Sequence, residues 1–290
     1  MIDRYLLRYF LAVIDCGSFS KAARQMNVAQ PTLSVGIGKL ERLLGAALFQ
    51  RSSKRVQITE AGSRFAAHAR RIESEFNLAE GAVLNMRPVR ALRLGVLSSF
   101  PMAHVGDAIR TAKRSAEPER LQLVAGSERE LLQRLSRGQI DVALTIVRNE
   151  PARFACEGLF TERYALAIHS AHPLANRATI AAEELAENAM FVRRHCEVLA
   201  ETSRHFTERG VRPFFAFRGT NDEQILTLVQ AGLGVTMMPA CFMLKGVVRP
   251  LLAGFNLKRQ MGLLFATHAD TLRHAPSPVL DAIRTRYASA

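Results

Sequence analysis

Three absences narrow the function of this 290-residue chain before any motif is considered. It has only four cysteines, Cys16, Cys156, Cys196 and Cys241, and no Cys-x-x-Cys pair among them. In a reducing compartment they are expected as thiols, and no zinc site is expected from this spacing. No apolar run approaches the roughly 20 residues needed to span a bilayer. The start, Met1-Ile2-Asp3-Arg4, is acidic and helix-patterned rather than a signal peptide, so a cytoplasmic protein with no membrane partner is expected. The histidines are scattered outside any His-Glu-x-x-His, Gly-x-Ser-x-Gly or paired-carboxylate context. No catalytic set, resident metal or cofactor is expected.

Acid is scarce as well. Against 39 Lys and Arg stand 26 Asp and Glu, a formal charge of +13 that suits a polyanionic partner. The first 88 residues hold 13 basic and 7 acidic side chains, so +7 of that charge lies further on. Charge alone therefore does not locate a nucleic-acid surface. A basic second half fits a solvated surface or an anionic small molecule equally. The length and the 48% apolar fraction allow two or three domains with real cores.

Two helical patterns, Ser20 to Met26 and Gln30 to Leu44, are separated only by Asn27-Val28-Ala29, the connection length of a helix-turn-helix. The second buries Leu33, Ile37, Leu40 and Leu44 along one stripe. Pro31, Val35, Gly38, Lys39 and Arg42 are left facing outward, a face poor in acid that suits a DNA major groove. Candidate contacts are Ser20 on the first helix, Gln30, Pro31, Thr32, Ser34 and Val35 near the start of the second, and Lys39 and Arg42 for the backbone. Next come Phe49-Gln50-Arg51, a polar tip and Val56-Gln57-Ile58-Thr59, a hairpin by its strand and turn signals. Such a wing places Arg51, Lys54 and Arg55 near phosphates or the minor groove. The plainer alternative is a small helical core with a solvated face.

From Thr59 to Pro88 the period becomes that of one long helix. Phe65, Ala69, Ile72, Phe76, Ala79, Val83 and Met86 alternate steps of four and three, a heptad seam. About 28 residues make a helix about 42 Å long. Its seam needs a partner, either the same helix of a second copy in a homodimer or the rest of its own chain.

Beyond Pro88 strands alternate with helices. Strands at Leu92 to Leu97, Leu121 to Ala125 and Ile140 to Val147 enclose helices at Pro101 to Arg114 and Ser127 to Arg137, which predicts a mostly parallel sheet. A second unit has strands at Tyr164 to His169, Ala189 to Val192, Phe214 to Phe217 and Val235 to Met238, with helices at Val198 to Arg209 and Asp222 to Ala231. Strands around Val247 to Leu252 and Met261 to Ala266 close it. A last helix, Ser277 to Tyr287, has Ser277 as N-cap and Pro278 at its first position, and returns to the first unit.

The order of these pieces resembles the LysR-type transcriptional regulators over the whole chain. The most specific stretches are GSFSKAARQMNVAQPTLS from Gly17, the KLERLLGAALFQR that ends at Arg51, and the ITEAG of Ile58 to Gly62; HPLA from His172 and AGLGVTMMPA from Ala231 are weaker echoes. Two positions depart from the family. Ala29 replaces a usual Ser, removing a helix cap worth about 1 kcal/mol, and Val35-Gly36 replaces a common Arg-Gln, removing a charged DNA contact. The resemblance implies a winged helix-turn-helix over 1–58, a linker and dimerisation helix over 59–88, and an α/β effector domain over 89–290. That domain has two lobes as in periplasmic binding proteins, 92–162 with 267–290 and 163–266, crossed twice by the chain.

Ligands in such sheets bind beyond the carboxyl ends of strands, near helix N-termini. Here those positions are Ser98, Ser99 and Phe100, then Ser127, Thr145, Arg193, His195 and Thr220. Hydroxyls beside a guanidinium suit a carboxylate or another small anion, although Ser99, Ser127 and Thr220 also read as plain helix caps. Their convergence on one cleft is what the resemblance implies. His195-Cys196 is also similar to the reactive position of the family's peroxide-sensing branch, where Arg193, Arg194, His195 and a helix N-terminus would lower a thiol's pKa. That branch pairs its cysteine with a second one, and His205 stands in that place. A single-thiol redox switch at Cys196 and an inert buried cysteine are both open.

The expected function is a dimeric or tetrameric DNA-binding regulator whose recognition helices shift when the cleft closes on an effector. The alternatives are a thiol-based redox regulator, or a solute-binding or enzymatic protein using the C-terminal fold.

Overall fold

The structure, a computed structural model, describes residues 1–50, 56–83, 90–115, 119–148 and 154–288. Three helices open it: α1 (Arg4–Cys16), α2 (Phe19–Gln25) and α3 (Gln30–Leu44). Leu6, Phe10 and Val13 of α1 pack with Ala22, Leu33, Ile37 and Leu40 into one core. Gly17 (φ 61) and Gly45 (φ 66) end α1 and α3 in the left-handed conformation that a side chain disfavours. Ser18 caps α2 by accepting the Lys21 N–H, whereas Ala29 gives α3 no side-chain cap. Asn27 makes the turn at φ 54, a conformation asparagine tolerates.

Glu41 accepts the N–H groups of Leu48 and Phe49 and so fixes where β1 (Phe49–Gln50) leaves the helices. β1 pairs antiparallel with β2 (Gln57–Ile58), as the wing requires. Arg51, Lys54 and Arg55 lie outside the described residues. The ITEAG segment then has a clear physical job. Thr59 Oγ1 accepts the Gly62 N–H at 2.9 Å and donates to Ala47 O at 2.7 Å, starting α4 (Glu60–Val83) against the wing. A Cβ on Gly62 would lie 2.3 Å from Leu48 O, so only glycine permits that approach.

The long helix corrects the seam in part. Phe65 and Ala69 pack on the N-terminal core of their own chain. The Phe65 ring packs at a tilt against Phe10, centroids 5.2 Å apart, and Ala69 is buried in the same N-terminal core. Winding the helix start around that core satisfies its apolar stripe for about three turns. Ile72, Phe76 and Ala79 are exposed. Val83 ends α4, and Met86 and Pro88 lie outside the described residues.

The C-terminal half contains β3 (Arg90–Leu97), α5 (Met102–Ala112), β4 (Glu119–Gly126), α6 (Glu128–Ser136), β5 (Val142–Ile146), β6 (Ala155–His169), β7 (Thr179–Ile180), β8 (Met190–Arg193), α7 (Leu199–Thr207), β9 (Phe215–Gly219), α8 (Asp222–Gln230), β10 (Thr236–Pro239), β11 (Val247–Val248), β12 (Leu251–Leu252), β13 (Lys258–Phe265) and α9 (Pro278–Tyr287). The main sheet runs β10-β6-β13-β5-β3-β4, with β11 also on β6. Only β4, β3 and β5 are mutually parallel, while β13 is antiparallel to β5 and β6 and β10 is antiparallel to β6. The expected mostly parallel sheet is therefore mixed. β6 and β13 are the two crossings between lobes, and a strand that carries the chain out must run opposite to the one that brings it back.

β6 also begins nine residues before the expected Tyr164. Its first half, with Glu157 and Glu162, reads as surface loop because the partners of those carboxylates are distant. Arg284 of α9 pairs with Glu157 and Arg259 of β13 with Glu162. α9 packs on α5, returning to the first lobe, and Ser277 caps it through the Leu280 N–H. The N-terminal half touches this lobe too: Gln139 Nε2 donates to Ile14 O at 2.8 Å, beside the Arg70–Asp15 pair. Among the described residues no helix is long and apolar enough to cross a membrane.

Four histidines give the fold a pH signature. Burial lowers the pKa of His104, His172, His205 and His268 below 6.5, with nearby cations Arg286, Arg209 and Arg93 adding to the effect at all but His172. Well above pH 6.5 each is neutral whether folded or not. Below it the unfolded chain takes up protons that the native chain refuses, so stability falls as pH drops. The melting temperature is expected to decline from pH 7 to pH 5, before carboxylates such as Asp141, held low by His268 and Arg93 against burial, begin to protonate. A flat profile over that range would contradict these burials.

Candidate nucleic-acid interface and effector cleft

The outward face of α3 carries Gln30, Pro31, Thr32, Val35, Lys39 and Arg42 in solvent, with Val35 68% exposed. Ser34 is half-buried and accepts from Gln30 Nε2 at 2.9 Å, and Ser20 is exposed on α2. Glu41, the one acid in α3, is turned inward onto the β1 backbone. The face offered to a polyanion thus holds no carboxylate of its own. Lys39 reaches Tyr5 Oη at 3.3 Å and Asp3 at 3.7 Å, exposed contacts that a phosphate can replace. Gly36, beside Val35, is buried under Tyr9, whose ring would meet a Cβ at 2.8 Å. The Val35-Gly36 departure is therefore a packing adaptation as well as a missing charge.

The other expected site residues divide. Ser99 is buried after β3, and its Oγ accepts from Arg259 Nη1 at 2.9 Å. Ser98 is exposed beside it. Phe100 belongs to the core of the first lobe, ringed by His104, Phe160 and Tyr287, because its side chain points under α5 and α9. Ser127 is half-buried with its hydroxyl in a capping box with Glu130, so it serves the helix. Thr220 is exposed, and it is Asn221 that caps α8. Thr145 is fully buried on β5 opposite Gly262 of β13, its Oγ1 without a partner among the described residues.

Arg193 is not the free guanidinium the sequence suggested. It is 2% exposed and bound to both oxygens of Asp222, Nε to Oδ1 at 2.6 Å, with Nη1 also reaching Met237 O and Cys196 Sγ at 3.3 Å. His195 Nε2 lies 3.3 Å from Asp222 Oδ2. Burial tends to raise the Asp222 carboxyl, yet Arg193 and His195 hold it below the usual range. With the Arg193 charge neutralised, burial dominates at Cys196 and pushes its thiol up rather than down. This reverses the expected activation.

Sequence reasoning missed the residues that join the lobes. Arg259, the second residue of β13, is in register with Glu162 of β6. Its Nε donates to Glu162 Oε1 at 2.9 Å, Nη1 to Glu197 Oε1 at 2.7 Å, and Nη2 to Ser99 O at 2.9 Å. Glu197 also receives the Ser99 and Tyr164 hydroxyls. Glu162 Oε2 accepts the Cys241 N–H at 2.8 Å. Ser99 of one lobe and Glu197 of the other thus meet on one guanidinium, and no local sequence pattern announces it. Among the described residues no His, Cys, Asp and Glu cluster could hold a metal ion.

Comparison with known proteins agrees with this architecture. Residues 5–63 match the family model of the bacterial regulatory helix-turn-helix protein, lysR family, and residues 87–287 match the LysR substrate binding domain. The chain is 29% identical over 237 residues to the hydrogen peroxide-inducible genes activator of Pectobacterium carotovorum subsp. carotovorum, covering 81% of this chain and 78% of the relative. It is 27% identical over 288 residues to the DNA-binding transcriptional dual regulator OxyR of Escherichia coli strain K12, covering 97% and 94%. In fold it is similar to a full-length OxyR variant from Pseudomonas aeruginosa, with a TM-score of 0.67 at 21% identity over 98% of this chain and 95% of that one. It also matches full-length BenM, with a TM-score of 0.52 at 22% identity over 99% and 97%. Two family models that together cover most of the chain, and a helix-turn-helix ahead of a two-lobed domain, place it in the LysR family as a DNA-binding transcription regulator.

Proposed function

We propose that this regulator is a homodimer, able to pair into a tetramer, that responds to a small anionic effector between its lobes, within a cytoplasmic setting that gives it access to DNA. The organisation is a winged helix-turn-helix over 1–58, a dimerisation helix over 59–88 and an effector domain over 89–290. The observation that carries the effector reading is the Arg259 bridge, which ties Ser99 of one lobe to Glu197 of the other at the crossing strands. A ligand that re-sorts those bonds changes the angle between lobes and thereby the spacing of the two recognition helices. Ser98, Ser99, Tyr164, His195 and Thr145 are the groups offered to it. Footprinting on upstream DNA tests this: a bound small carboxylate is expected to lengthen or shorten the protected region, and an unchanged footprint with ligand bound rejects the reading.

On the DNA side, Gln30, Thr32, Ser34 and Val35 read bases while Lys39 and Arg42 hold backbone. Val35 can make only an apolar contact, most naturally with a thymine methyl. Val35→Arg is expected to switch the preferred base at one position per half-site and leave nonspecific binding equal or tighter. Site selection with both proteins measures this, and identical preferred sequences would remove Val35 from the base contacts.

A second reading is redox sensing, favoured by relatives named for hydrogen peroxide induction. Peroxide would oxidise the thiol to a sulfenic acid and leave water. His205, in the place of a pairing cysteine, rules out a disulfide through that position. Loss of a peroxide-dependent footprint in Cys196→Ser supports this reading, and an unaltered response rejects it.

A further inference from the structure

The effector reading leaves open what occupies the anion-binding groups of the cleft when no effector is present. Arg259 carries two buried carboxylates, Glu162 and Glu197. The two are not equivalent. Glu162 is strand-paired with Arg259 and anchored by the Cys241 N–H, and its side chain is 7% exposed. Glu197 sits between β8 and α7, away from the sheet, and its side chain is 10% exposed. Its carboxylate takes Arg259 Nη1 and the Ser99 hydroxyl on Oε1, and the Tyr164 hydroxyl on Oε2. A guanidinium with two hydroxyls is the donor set that would bind a free carboxylate.

We propose that Glu197 is a built-in carboxylate ligand of the Arg259–Ser99–Tyr164 site, and that small carboxylates enter by exchange with it. This rests on the interlobe effector reading and names its chemistry. The tethered group acts at a high effective concentration, so it sets a threshold that a free anion must exceed. Because Glu197 belongs to the second lobe and Ser99 to the first, its release also removes one of the ties between the lobes.

Removing the tethered group should leave a vacancy for a free one. In the full chain, Glu197→Ala is expected to melt below wild type and to recover with sodium acetate but not with sodium chloride of equal ionic strength. At ten times its dissociation constant, acetate should raise the melting temperature by about 3–6 °C. The wild type should need at least tenfold more acetate for half the effect. Glu197→Gln, which fills the same volume, should not respond. Equal responses to acetate and chloride in Glu197→Ala, or equal acetate sensitivity in the wild type, would overturn the assignment. If Glu197→Ala does not fold, Glu197→Ser keeps a hydroxyl at the position with room for formate and decides the question in the same way. Footprints recorded alongside separate the two ideas. A footprint indifferent to acetate in a stabilised variant would sink the effector reading while the carboxylate site stands.

Discussion

Phe76→Asp and Ile72→Asp chains are expected to sediment as monomers and to lose about a hundredfold or more in operator affinity, since bivalent binding contributes two to four orders of magnitude. Ile72 and Phe76 are 41% and 43% exposed on a helix whose earlier apolar residues are already covered. The Arg4 guanidinium lies over the Phe76 ring, 4.8 Å from its centroid, and is held there by Glu73, which leaves the other face for a second copy. A carboxylate buried in that contact without a partner costs several kcal/mol. Phe65→Ala provides the contrast: it removes a half-buried ring packed on the N-terminal core and should lower stability by about 2 kcal/mol without specifically dissociating the dimer. Folded Phe76→Asp and Ile72→Asp proteins that stay dimeric would show that the dimer forms elsewhere.

Arg193→Ala should be the most damaging single substitution in the effector domain. It strands Asp222, whose side chain is 2% exposed, and breaking one side of a buried pair costs about 3–5 kcal/mol. The melting temperature of a domain of this size should fall on the order of 10 °C. Asp222 lies at the start of α8 and Arg193 at the end of β8, so the loss should loosen the second lobe while the recognition helix keeps its fold. Replacing both partners, as in Arg193→Met with Asp222→Leu, should restore most of the stability, because two apolar groups leave no stranded charge. Thermal unfolding of the three variants measures this. A single mutant as stable as wild type would mean that the pair is replaceable by solvent.

The reading of Cys196 shows how a local argument fails. Three basic neighbours and a helix N-terminus point to a lowered thiol pKa, yet the nearest cation is bound to a carboxylate 29 residues further along. Phe100 lies in the core and Ser127 takes the helix-cap role that its sequence also allowed, since position after a strand does not reveal whether a side chain turns into the core or onto its own helix.

What the sequence determined by itself is whatever depends on neighbours within a few turns. The span of α3, the Ser277 cap, the order of strands and helices in the first lobe and the acid-free recognition face follow from periodicity, capping and local charge, which act over three to ten residues. Only the tertiary structure decided which strands cross between lobes, which part of the long helix is left unpaired, and that Arg259 gathers Ser99, Glu162 and Glu197 from 160, 97 and 62 residues away. Those outcomes depend on burial and hydrogen bonds between distant segments. A charge that looks solvated among its sequence neighbours becomes a fixed partner once the fold removes its water.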